Sequence, residues 1–123
     1  MATTVKAVVV RVDGKAQLEQ IPAGEAESFE ALRKIVGGYV EMFPIRELPG
    51  VVVACNEDGG PMGLPPNPNV LMNLPGGWVR ALVGDYAVIG YSRPDDPRDL
   101  TDEETKWLLA HIILAPARRQ GVG

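Results

Sequence analysis

The run Gly59–Gly77 holds five prolines and five glycines, and its Pro61–Asn69 part cannot be a helix and makes a poor strand. Pro65, Pro66 and Pro68 remove backbone donors and fix φ, which breaks a helix and interrupts a central strand. Each also pushes the residue before it toward extended geometry. The segment is therefore read as a connector joining two β-rich halves, with only a brief extended piece at Val70–Leu74 inside it. A chain of 123 residues has material for one core rather than two. We expect a single α+β domain over residues 1–117, with residues 118–123 as a flexible C-terminal tail.

Before the connector, Val5–Val12 is rich in valine and reads as a strand with β-branched residues on both faces. Asp13–Gly14 then predicts a tight hairpin turn, because type I′ turns need positive φ at both central residues. The return strand is Lys15–Ile21, ended by Pro22. Ser28 is expected to cap a helix over Phe29–Val36, with Phe29, Leu32, Ile35 and Val36 on its apolar stripe. Gly37–Gly38 supplies the left-handed stop. Tyr39–Phe43 alternates as a strand, and Val51–Cys55 is a short apolar strand expected to be buried on both faces.

After the connector's brief extended piece at Val70–Leu74, Trp78–Val83 and Tyr86–Tyr91 are predicted to pair through a Gly84–Asp85 type II′ turn. Ser92–Asp99 reads as a loop. Thr101-x-x-Glu104 is a capping box and starts a second helix, with Trp107, Leu108, His111, Ile112 and Ala115 on one face and Pro116 past its end. The order β-β-α-β-β-loop-β-β-α predicts an α+β fold, a mostly antiparallel sheet of about six strands with both helices on one face.

Charge and cysteine content narrow the function classes. A net charge of −4 gives no concentrated basic surface, so broad nucleic-acid binding is not expected. Arg118–Arg119 is a basic pair in the tail, where it suits a solubilising end. One cysteine, Cys55, excludes an internal disulfide and fits a reducing compartment. The N-terminus lacks a secretory pattern. Trp107–Ala117 is interrupted by His111 and Pro116 and is short of the roughly 20 residues of a membrane span. A cytoplasmic location and no membrane partner are expected.

The chemistry-bearing residues are sparse. Cys55 and His111 are the one thiol–imidazole pair, but Cys55 closes an apolar strand and reads as a small buried hydrophobe. One His and one Cys are too few for a zinc site without carboxylates, and Asp95, Asp96 and Asp99 read as a solvated turn. No phosphate-binding glycine motif is present. Glu41, Glu57, Asp58 and Asp85 could do acid–base work only if the fold brings two into one cleft. No catalytic residue, metal ligand or cofactor is assigned.

The connector has two readings. It is a rigid loop capping the sheet, its prolines reducing unfolded-state freedom, or it is a preorganised recognition surface. Asn56, Asn67, Asn69 and Asn73 either hydrogen-bond a ligand or close turns. Asn56, Glu57, Leu64, Pro65, Pro66, Asn67 and Asp85 are the candidate ligand- or partner-binding residues.

Leu32-Arg33-Lys34-Ile35-Val36-Gly37-Gly38-Tyr39-Val40-Glu41, Cys55-Asn56-Glu57-Asp58-Gly59 and Gly63-Leu64-Pro65-Pro66-Asn67 follow one another in that order. Gly84-Asp85-Tyr86-Ala87-Val88-Ile89-Gly90 and Leu100-Thr101-Asp102-Glu103-Glu104 come later. Together, over about residues 5–108 in a chain of single-domain size, they resemble a domain-of-unknown-function family carried by bacteria, plasmids and phages. The resemblance implies an accessory gene of a phage or mobile element and brings no catalytic residues with it. The expected function is non-catalytic binding of a host protein or small ligand. A small carboxylate enzyme beside the connector and a structural subunit of an oligomer are the alternatives.

Overall fold

Three central strands are apolar on both faces, so each must be covered twice. That requirement organises the molecule. The computed structural model describes residues 3–73 and 78–114. Its elements are β1 (Thr4–Val10), β2 (Ala16–Pro22), α1 (Glu25–Val36), β3 (Val40–Pro44), β4 (Val51–Asn56) and β5 (Asn69–Asn73). They continue with β6 (Trp78–Arg80), β7 (Tyr86–Arg93), β8 (Asp96–Arg98), α2 (Asp102–His111) and β9 (Ile112–Leu114). The fold is α+β, and every strand pair is antiparallel.

The main sheet runs β2-β1-β7-β4-β3, with β8 added on β7, and a smaller sheet runs β6-β5-β9. In β1, Val5, Ala7 and Val9 point to one face while Val8 and Val10 point to the other, as the period of two demands. β4 and β7 alternate in the same way. Ala54, Ala87 and Ile89 join Val5, Ala7 and Val9 under Leu32 of α1. Val51, Val53, Tyr86 and Val88 join Val8 and Val10 on the opposite face, where Leu108 of α2, Leu71 of β5 and Ile112 of β9 close over them. Each fully buried valine contributes about 1.5–3 kcal/mol relative to an exposed one.

The helices therefore lie on opposite faces, not on one as the sequence order suggests. A sheet apolar on both sides leaves no face for solvent, and α1 alone covers only one. The buried-on-both-faces expectation for Val51–Cys55 holds, with all but Val52 fully buried.

The first hairpin forms, with Val10 opposite Ala16 and Thr4 opposite Pro22, but its turn is not the expected two-residue Asp13–Gly14 link. The Gly14 amide donates to the Arg11 carbonyl and the Arg11 amide to the Lys15 carbonyl. That puts Val12–Asp13 at the centre and Gly14, at φ +96°, after it. α1 starts earlier than expected. Gly24 is its N-cap without a side-chain bond, and Ser28 lies inside the helix, where its hydroxyl donates to the Glu25 carbonyl at 2.9 Å. The buried stripe is Ser28, Leu32 and Val36 at four-residue spacing. Phe29, expected in the core, is 46% exposed.

Two pairings after the connector differ from the sequence reading. β6 pairs with β5, and β7 inserts between β1 and β4, so no Trp78–Val83 with Tyr86–Tyr91 hairpin exists. The predicted Ser92–Asp99 loop is instead a β7–β8 hairpin, with Gly90 opposite Arg98, a bulge between Tyr91 and Arg93, and Pro94–Asp95 at the turn. The predicted capping box is present in full. Thr101 Oγ1 accepts from the Glu104 amide and Glu104 Oε1 accepts from the Thr101 amide. The helix ends at His111, so Ile112 belongs to β9. Residues 74–77, Ala115, Pro116 and the expected tail lie outside the described residues.

Candidate functional site

The connector folds as a clasp. The Gly84 amide donates to the Pro65 carbonyl at 2.7 Å and the Asn67 amide to the Leu82 carbonyl at 2.8 Å, with Pro66 and Val83 forming a bridge between them. Asn67 is buried, and its Nδ2 donates both to the Val10 carbonyl at 3.1 Å and to the Gly84 carbonyl at 2.9 Å. Its Oδ1 accepts from the Asn69 amide. A buried amide with donors and acceptor all engaged is the stable arrangement for such a group. Leu64 packs against Gly59 and Gly84; a Cβ on Gly84 would meet its Cδ1 at 2.9 Å.

The other predicted binding residues also have internal partners. Asn56 is buried, donates to the Val36 carbonyl at 2.9 Å and accepts from the Asp58 amide at 2.7 Å. It satisfies an orphan carbonyl at the end of α1. Glu57 has an exposed side chain, and its amide donates to Tyr39. Asp85 accepts from the Val12 amide at 2.8 Å and from Arg11 at 3.3 Å, while Arg11 also pairs with Glu19. Asn69 donates to the Gly14 carbonyl at 2.8 Å, and the Tyr86 hydroxyl donates to the Asn69 carbonyl at 3.1 Å. Burial pushes the Tyr86 phenol up. The Asn73 side chain lies outside the described residues.

The candidate catalytic groups do not converge. Burial pushes the Cys55 thiol up, Glu41 adds to the shift, and Arg80 opposes it. A raised thiol has little thiolate at neutral pH. His111 stacks on Trp107 with ring centroids 3.7 Å apart, and its Nδ1 lies 2.6 Å from the Trp107 carbonyl. Glu41 is on the edge strand β3, Glu57 in the turn after β4 and Asp85 beside the first hairpin. Among the described residues no three His, Cys, Asp or Glu side chains are placed to hold a metal ion. No helix among them is long and apolar enough to cross a membrane.

What the sequence reading missed lies on the α1 face. Phe29 from α1, Met42 from β3, Tyr91 from β7 and Pro94 from the β7–β8 turn line a cleft of about 430 Å³, together with Glu25 and Asp95. An adjoining recess of about 330 Å³ shares Met42, Tyr91 and Pro94 and adds Val52 and Arg93. Phe29 is 46% and Met42 38% exposed. Burial pushes the Tyr91 phenol up, and the Glu25 carboxylate adds to the shift.

The β7–β8 hairpin creates this cleft by carrying Pro94 and Asp95 out beside the start of α1. The available signal was the four-residue series Ser28, Leu32, Val36, which turns Phe29 off the buried stripe. The partner residue Pro94 needed the unpredicted hairpin.

A family model described as "Domain of unknown function (DUF3846)" matches residues 5–113, from β1 into β9. The chain belongs to that family. The DUF3846 match spans both sheets and both helices, so the clasp and the α1-face cleft both lie within the family domain. No curated protein and no solved structure matches the chain.

Proposed function

We propose that this DUF3846 domain is a non-catalytic binding module whose working surface is the paired cleft around Tyr91. It acts in the cytoplasm as an accessory protein of a phage or mobile element, by occupying a host protein. The observation that carries the reading is that exposed Phe29 and Met42 meet Tyr91 in one cleft, whereas the exposed Leu18, Met62 and Leu109 lie outside its lining. Exposed apolar side chains gathered at one cleft mark interaction surfaces more often than scattered ones do. The accessory setting rests on the resemblance of the motif words to a family of bacteria, plasmids and phages. The engagement of Asn56, Asn67 and Asp85 within the chain favours this cleft over those residues as the binding surface.

The test is affinity capture from host lysate with three forms of the full chain. The wild type should retain a discrete host protein, and the Phe29→Ser/Met42→Asp variant should lose it. Leu18→Ser, which removes an exposed leucine from the first hairpin, should retain it. Capture that survives the double variant, or that is lost with Leu18→Ser, contradicts the reading.

A further inference from the structure

The cleft is not uniformly apolar. Its charged lining residues are both acidic, Glu25 and Asp95, and that charge points to a class of ligand. At the α1 end, Glu25 and Asp95 share the cleft lining with Phe29 and Tyr91, and neither carboxylate forms an ion pair among the described residues. Arg93 belongs to the adjoining recess, not to this end. Aromatic faces attract cations through their quadrupole, and carboxylates in the same lining add direct charge attraction. Met42 and Pro94 supply apolar surface for an aliphatic stem.

Resting on the binding reading above, we propose that the α1 end of the cleft receives a basic side chain, arginine or lysine, from an apolar-flanked segment of a protein partner. The stem lies along Met42 and Pro94, and the charged head sits between Glu25 and Asp95 beside the rings. Arginine is favoured over lysine, because a planar guanidinium stacks on a ring and reaches a carboxylate with the same group. An acidic side chain is excluded from this end by two like charges. The domain's own net charge of −4 favours encounter with a basic segment.

The test is a nitrogen-15 NMR titration of the full chain with three capped peptides, Leu-Arg-Leu, Leu-norleucine-Leu and Leu-Glu-Leu. The arginine peptide should shift the amides of Phe29, Tyr91 and Asp95 in a saturable way. Glu25→Gln/Asp95→Asn should weaken it about fivefold to tenfold with the rest of the spectrum unchanged. Norleucine binding of equal strength, indifferent to the double variant, overturns the basic-ligand inference and leaves the binding cleft standing. No shift with any peptide, or shifts spread outside the cleft, also overturns it, and the binding reading is then judged by the lysate capture alone. Cleft shifts produced by raised protein concentration without peptide assign the surface to a second copy and overturn the inference.

Discussion

Asn67 donates a hydrogen bond from its side chain to the backbone carbonyl of Val10, which precedes it by 57 residues. The same amide holds Gly84, so one side chain joins the end of β1, the connector and the turn into β7. This explains how the irregular part of the connector ahead of β5 is fixed in place.

Replacing Asn67 by Ala should cost about 2–4 kcal/mol, because it removes three hydrogen bonds made by a buried side chain. Urea unfolding of the variant against wild type measures this directly. A loss under about 0.5 kcal/mol would mean that water replaces the amide and that the clasp is not a structural anchor.

Gly84 sits at φ +76° against Leu64, whereas Gly60 has open space around its Cβ position. Gly84→Ala should destabilise by about 1–2 kcal/mol from left-handed strain. Gly60→Ala should stay within about 0.5 kcal/mol of wild type. Thermal melts of both separate the two positions. Equal effects would contradict the geometry at Gly84.

Glu104 caps α2 and accepts two bonds from Arg98, at 2.8 and 2.9 Å. The Arg98 hydrogen bonds chiefly hold its carboxyl below the usual range, burial opposes this, and the Thr101 amide assists. A carboxyl depressed in the folded state stabilises above its unfolded pKa, and that contribution is lost as pH falls through the folded pKa. Glu104→Gln keeps the capping geometry but should cost about 1–2 kcal/mol at neutral pH, with the difference from wild type shrinking below about pH 4. Unfolding curves at neutral and acid pH check both the size and the sign. A difference that grows on acidification would contradict it.

Cys55 is 4% exposed and its thiol is pushed up by burial. It should resist an aromatic disulfide reagent in native buffer and react at once in denaturant. Rapid native labelling that leaves the fold intact would show an accessible thiolate and reopen nucleophilic chemistry.

The β1–β2 hairpin, the apolar β4 and the Thr101–Glu104 box were legible because each is set by residues close in sequence. The words that carry the family resemblance also acquire physical roles. Gly38 and Asn56 meet at the end of α1, where a Cβ on Gly38 would stand 2.9 Å from Asn56 Nδ2. Leu64 to Asn67 lock onto Leu82 to Gly84.

What escaped depends on distant partners. Gly84–Asp85 carries hairpin chemistry, yet Asp85 binds the Val12 amide and Gly84 binds Pro65, so β7 pairs with β1 and β4. Helix placement failed for a related reason: two-faced strands demand two covers, and neighbours in sequence do not say which helix takes which face. The cleft was hidden because Phe29 looks like a core residue until Ser28 takes the buried position.

Site-resolved photocrosslinking in host cells tests the central claim most directly, that binding occurs at the α1-face cleft and not at the connector. A benzophenone amino acid replaces Phe29 in one form of the full chain and Met62, which is 53% exposed within the connector, in another. The account predicts a discrete protein adduct from position 29 that disappears when Met42→Asp is added, and none from position 62. An adduct from position 62 alone would contradict it and return the binding role to the connector.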